Sequence, residues 1–349
     1  MCRDDLEQLA DGTDEQVQSF VIDASWNGLL HRLRDNVLDL ARRSRDAAHA
    51  RAGALAGSRI GAAVFDGMDL TGADLRGADL AGASFRGATL TGADLTGARL
   101  AGCDLRGASL GGAVLDETCL AGADLSGVDL REAVVSGCDL AGADLRGARL
   151  FKAVLTGADL SGARLAGASI VQSLLDGALL AGVAFAGCDL TDSSFADANL
   201  EGAALAGVVA KQASFANANL RRATMQRMIA PSANLRGACL DEADLREAVF
   251  TDACFEGVGM RKARAEGATL EGARFGRADL RATVLRGARM KYADLSHTQL
   301  TGADLHDVDL EGACLHRAVR EGASFGGANM KDVQHDDPER ARAEDFEAG

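Results

Sequence analysis

The residues able to do chemistry here are the aspartates, eight cysteines and a late group of histidines, and each lacks the partner that a reaction needs. Aspartates recur at Asp74, Asp94, Asp104, Asp124, Asp139, Asp144 and Asp159, separated by multiples of five. Such carboxylates share one kind of surrounding. Acid/base catalysis instead needs two groups whose surroundings differ. Cys103, Cys138 and Cys188 fall at one register and Cys119, Cys239, Cys254 and Cys314 at another, with Cys2 apart and no C-x-x-C pair. That spacing argues for small thiols packed inside or half inside, against a disulfide framework or a zinc site. Glycine recurs too regularly to mark one phosphate-cradling loop. The sequence therefore predicts no catalytic residue, no cofactor and no metal, in a protein that is not an enzyme.

What positions these residues is a five-residue frame that runs without insertion from Ala63 to Met330. Ala73-Asp74-Leu75-Arg76-Gly77 and Ala143-Asp144-Leu145-Arg146-Gly147 are typical units. Taking the leucine as centre, 50 of 54 centres are Leu, Phe, Met, Ile or Val, and 39 of the positions two before them are Ala. Leu55 and Ile60 extend the frame slightly earlier. Residues two apart in an extended chain share a face, so the small residue and the centre both point inward. The residue between them points out, and the last two, often ending in Gly, turn the chain. A helix does not fit, because a period of five does not match 3.6 and Gly would recur inside it.

These units resemble the pentapeptide-repeat family, whose consensus is A-(D/N)-L-x-x, over about 77% of the chain. The resemblance implies an all-β fold, a right-handed quadrilateral parallel β-helix with 20 residues per coil. The sequence carries that period itself: Val114, Val134, Val154 and Leu174 break the polar rule every 20 residues, as do Val209, Ile229 and Val249. A rod of this kind is about 65 Å long. On a 20-residue coil His306 and His316 fall on opposite sides, and His297 and His316 on neighbouring columns, which reads as exposed corner histidines. Met228 in place of Ala, beside Pro231, predicts an irregularity or bend.

A solenoid must cover its ends. Residues 1–50 have no frame, and Leu30, Leu33, Val37 and Ala41 mark one face of a helix, so 1–50 is expected to be an N-terminal α-helical cap. Residues 51–330 form the β-helix. In 331–349, Asp337-Pro338-Glu339 reads as a helix start, with Asp as N-cap and Pro at the first helical position, and a short C-terminal helix ending near Phe346.

The net charge of −14 excludes direct nucleic-acid binding, which needs surplus Lys and Arg. It suits a protein that competes with nucleic acid for a basic partner. Residues 51–200 hold 11 basic and 18 acidic side chains, and residues 201–330 hold 17 and 16, so the acidity lies in the first half of the rod. There the outward aspartates form columns: Asp104, Asp124 and Asp144; Asp139 and Asp159; Asp74 and Asp94. The ladder Val114, Val134, Val154 and Leu174 is read as a solvent-facing apolar stripe, whose residues either stack on one another along the rod or form a surface for a homodimer or another partner. No signal peptide or membrane-spanning run is seen, which places the protein in the cytoplasm. Family members with known roles resemble B-DNA in width and charge, and protect type II topoisomerases. The resemblance thus implies a DNA mimic that binds DNA gyrase or topoisomerase IV and confers resistance or self-immunity to a topoisomerase-poisoning antibiotic. The alternative is a structural or adaptor scaffold unrelated to topoisomerase.

Overall fold

The computed structural model describes residues 62–347, together with 56, 57 and 59; the helical cap expected over 1–50 lies outside them. From Arg59 to Gln334 the outward residues of the frame form parallel bridges with the residue twenty further on, as in Asp104 with Asp124 and Asp124 with Asp144, with Arg164 and Ala184 the one exception among the described residues. The coil is therefore 20 residues long and has four sides, one per five-residue unit. Along each side the ladder is closed by alternate donors. Leu75 N–H donates to the Asp94 carbonyl at 2.8 Å, and Asp94 N–H donates to the Ala73 carbonyl at 2.9 Å.

Each corner is a turn whose geometry follows from the last two residues of the unit. Ala78 N–H donates back to the Leu75 carbonyl at 3.1 Å, and Gly77 between them has φ +60°. Positive φ at the third turn position, with none recorded at the second, is the type II pattern that favours Gly. Where Gly is absent a bulkier residue takes the same angle, as Glu132 does at +61° and Lys152 at +58°. Each such residue costs roughly 1–2 kcal/mol. The ladder bond from its own N–H, as from Glu132 to the Phe151 carbonyl at 2.9 Å, helps offset that cost.

The axis is filled by the centres and the small residues, most of them 0–1% exposed. Phenylalanines twenty apart stack across coils: Phe65 on Phe85 at 4.7 Å, Phe195 on Phe215 at 5.3 Å and Phe255 on Phe275 at 4.6 Å. Offset stacks of this kind add about 1 kcal/mol beyond their burial. Polar atoms at the small position repeatedly find one partner, the carbonyl of a centre 23 residues earlier, while Thr298 turns instead to Leu295 O at 2.7 Å. Cys138 Sγ reaches Leu115 O at 2.6 Å, Thr118 Oγ1 reaches Leu95 O at 2.8 Å, and Ser173 and Ser193 do the same with Leu150 and Ile170. Burial is the main cause that pushes the Cys103 and Cys188 thiols up to about 11 and that of Cys138 up to about 12.

The irregularity expected at Met228–Pro231 is absent. The bridges Val209–Ile229–Val249 continue through it, and Met225 and Met228 are fully buried in the axis. Pro231 occupies the second position of a type II turn, where its fixed φ fits. No ladder bond uses the N–H at that position, so nothing is lost.

Helix α1 (Pro338–Glu347) ends the described chain. Asp337 caps it as the sequence predicts: its Oδ1 accepts from Glu339 N–H at 2.8 Å and its carbonyl from Ala341 N–H at 2.9 Å. No described helix is long and apolar enough to cross a membrane.

Candidate interaction faces

The four sides carry different outward ladders. One side runs Asp74, Asp94, Val114, Val134, Val154, Leu174, Ser194; the next runs Asp79, Arg99, Cys119, Asp139, Asp159, Leu179. The side opposite the first carries Ser84, Asp104, Asp124, Asp144 and Arg164. Column assignments made from the sequence thus hold, but the aspartates in them are not equivalent.

Three of the seven, Asp74, Asp104 and Asp144, are paired by an arginine two residues on. The unit A-D-L-R-G places Asp in the strand and Arg at the corner on the same outward side, so the guanidinium folds back onto the carboxylate. Arg106 makes a two-pronged contact with Asp104 at 2.9 and 2.7 Å, and Arg86 adds a third from the coil before. Arg146 grips Asp144 in the same way, with Arg164 at 3.3 Å, and Arg76 grips Asp74. These donors hold the Asp104 carboxyl well below the usual range, led by the Arg106 hydrogen bond and opposed by burial. Asp94 and Asp124 instead accept from Thr96 and Ser126, with Arg76 and Arg106 at 3.8 and 3.7 Å. The signal for this pairing, Asp-x-Arg, was in the sequence and its consequence was missed.

Asp139 and Asp159 differ. Among the described residues no Lys or Arg lies within 4.0 Å of either carboxylate. Asp139 accepts from the Ala141 amide at 3.1 Å and lies 3.6 Å from Cys119 Sγ; Asp159 accepts from the Ser161 amide at 2.9 Å. Both carboxylates are half-buried and adjacent across one coil step. This is the uncompensated acidic step among the predicted columns.

Val114, Val134, Val154 and Leu174 form a hydrophobic cluster of their own, separate from the axis. The stripe expected to face water is 1–3% exposed. The ladder register is as predicted; the exposure is not.

The histidines also depart from expectation. His306 stays at a corner, its Nδ1 2.7 Å from Asp304 Oδ1. His316 is buried at 1% exposure beneath α1, and its Nε2 and that of His297 approach Glu344 Oε2 at 3.3 and 3.2 Å. Two imidazoles and a carboxylate are a familiar zinc set. The hydrogen bonds here do not suit one. Asp337 N–H donates to His316 Nδ1 at 3.1 Å, so the neutral ring carries its proton on Nε2 and donates it to Glu344. A metal ligand needs that lone pair free and its far nitrogen facing an acceptor. Arg317, with Nε 3.6 Å from Glu344 and Nη2 2.7 Å from Asp345, supplies the positive charge instead. The cluster clamps α1 to the last coil.

The family described as Pentapeptide repeats matches the chain in overlapping segments from 58–97 to 293–332. HetL, a pentapeptide repeat protein involved in heterocyst differentiation regulation in Nostoc sp. strain PCC 7120, is 31% identical over 77% of this chain and 88% of its own, with a TM-score of 0.15. A pentapeptide repeat protein of the Arabidopsis thaliana thylakoid lumen is 32% identical over 31% of this chain and 68% of its own, with a TM-score of 0.22. QnrB1, a plasmid-mediated fluoroquinolone resistance protein, is 15% identical over 66% of this chain and 97% of its own, with a TM-score of 0.26. No curated protein sequence matches. The repeat frame, the 20-residue coil and the family match agree: the chain belongs to the pentapeptide-repeat family, whose members form right-handed quadrilateral β-helices.

Proposed function

We propose that this protein is a non-enzymatic binding rod whose acidic first half engages the DNA-binding surface of a type II topoisomerase, DNA gyrase or topoisomerase IV, and shields it from a topoisomerase-poisoning antibiotic. The observation that carries this reading is the Asp139–Asp159 step, two carboxylates with no cationic partner among the described residues, in the half of the rod where acidic side chains outnumber basic ones. Carboxylates left unpaired on a stiff face are available to lysines and arginines that otherwise hold phosphates. The family resemblance supplies the class of partner. A pentapeptide-repeat chain bound in this way acts in the cytoplasm and without a cofactor.

A supercoiling assay with gyrase, run with and without a fluoroquinolone, tests it. Inhibition of supercoiling or protection from the drug at about micromolar protein is expected, and Asp139→Lys with Asp159→Lys should abolish either effect. Absence of both effects in the unaltered protein sinks the topoisomerase reading. The second reading, an adaptor scaffold for another protein, is favoured by one observation: Asp74, Asp104 and Asp144 are already neutralised by Arg76, Arg106 and Arg146, which breaks any continuous acidic strip on those sides.

A further inference from the structure

The fourth side of the rod, opposite the one that carries Asp139 and Asp159, has a ladder that is self-complementary about Ile229. One coil step away on either hand stand Val209 and Val249, and four steps away stand Arg149 and Asp309. Ile229 is 41% exposed, and Val209 and Val249 are half-buried, so the centre keeps apolar surface in water. The two corners that border this side continue the pattern. Glu247, one step above Ile229 on the corner before the strand, matches Lys211, one step below on the corner after it. Asp307 and Lys152 match in the same way at four steps. Lys152, Lys211 and Asp307 have no ion-pair partner among the described residues. Tyr292, the one tyrosine of the chain and 68% exposed, stands three steps above and matches Ala166-Gly167, a bare corner three steps below.

We infer that this side is the interface of a two-fold dimer, in which a second copy of the chain lies antiparallel on it with the symmetry axis through Ile229. A closed two-fold contact uses one patch twice, so the patch must complement itself. Rotation by half a turn exchanges above with below and one corner with the other, so each match just named is made twice. Within four steps of Ile229 one facing pair is like-signed, Asp192 with Glu266, and Arg264 already holds Glu266 at 3.0 Å. The other sides fail the same test. Centred between Ala184 and Ala204, one sets Asp144 against Asp244; centred on Leu179, another sets Asp79 against Asp279. On the remaining side the apolar stretch Val114–Leu174 is 1–3% exposed and has almost no surface to offer. From Arg149 to Asp309 is eight coil steps, about 38 Å. With a width of five extended residues, roughly 16 Å, each copy contributes about 600 Å², the lower end of what specific interfaces bury. The inference is independent of the topoisomerase reading, since the contact faces away from Asp139 and Asp159 and leaves one such acidic step on each outer side of the dimer.

Sedimentation equilibrium of the full-length chain over a range of concentrations tests it. A doubled mass is expected, with a dissociation constant that rises with salt. Ile229→Asp sets two carboxylates against each other on the symmetry axis and should give a monomer whose coils melt as before. Lys152→Glu sets like charges against Asp307 of the other copy and should weaken the dimer at least about tenfold, and adding Asp307→Lys should restore it. Within one chain the two residues are nearly eight coil steps apart, so that rescue can act only between copies. Both lie at corners outside the core, so the charge exchange decides the matter even if Ile229→Asp fails to fold. A single-chain mass for the unaltered protein overturns the inference. So does a dimer that survives a folded Ile229→Asp, and so does one that Lys152→Glu leaves intact or that Asp307→Lys fails to restore, which would put the second copy elsewhere on the rod.

Discussion

His316 and Glu344, 28 residues apart in the chain, meet at 3.3 Å and fasten α1 to the last coil. The buried imidazole is the hinge of that contact, since its other nitrogen accepts the Asp337 amide one residue before the helix begins. Replacing Glu344 by Ala leaves the His316 N–H without an acceptor, a loss of about 1–3 kcal/mol confined to this end. Limited proteolysis should then cut within 331–349 faster, with the thermal midpoint of the coils unchanged.

Acid should destabilise the rod, and the sign follows from its carboxylates. Lys291 and Lys331 hold Glu311 down at about 2; at Asp304 burial opposes the effect, and His306 and Arg286 bring it to about 2. Carboxyls lowered in the folded state stabilise it fully above their unfolded values, near 4, and lose that contribution as pH falls toward 2. Urea midpoints are expected to be flat between about pH 5 and 7 and to drop between about pH 4 and 2. Glu311→Gln should flatten part of that drop.

The thiols of Cys103, Cys138 and Cys188, raised to about 11, 12 and 11 by burial, should not react with a thiol reagent at about pH 8 in the folded protein. All eight cysteines of the sequence should react after denaturation. Titration of free thiols before and after guanidinium checks this.

Pro231 sits where a type II turn wants it, so Pro231→Ala should cost about 0.4–1 kcal/mol through the unfolded chain alone. Denaturant melts would show the loss without a change of slope. Phe255, fully buried and stacked on Phe275, should cost about 3–5 kcal/mol when truncated to Ala.

How much of this was legible in the sequence depends on how local its cause is. The coil length could be read because Val114, Val134, Val154 and Leu174 share one ladder, and the start of α1 because Asp337-Pro338 is a local capping signal. The bend expected at Pro231 failed because the turn position of a proline, not its presence, decides its effect. The arginine pairing of Asp104 and Asp144 was readable from Asp-x-Arg once the corner residue is placed on the outward side. Burial of His316 was not readable, because it depends on where α1, 22 residues on, comes to rest.

The unbroken twenty-residue register has a consequence for how such a chain can change in length. Bridges link outward residues to those twenty along from Arg59 to Gln334, and although Arg164 and Ala184 make none, Asp144–Arg164 and Ala184–Ala204 keep the register without a slip. Excising twenty residues would remove one storey and leave everything above it facing as before. Excising five would turn every later ladder by a quarter revolution and hand each side's lettering to its neighbour. An axis of leucine and alanine tolerates either, but the surface tolerates only the first, so insertions and losses that preserve what this rod presents must come in whole storeys.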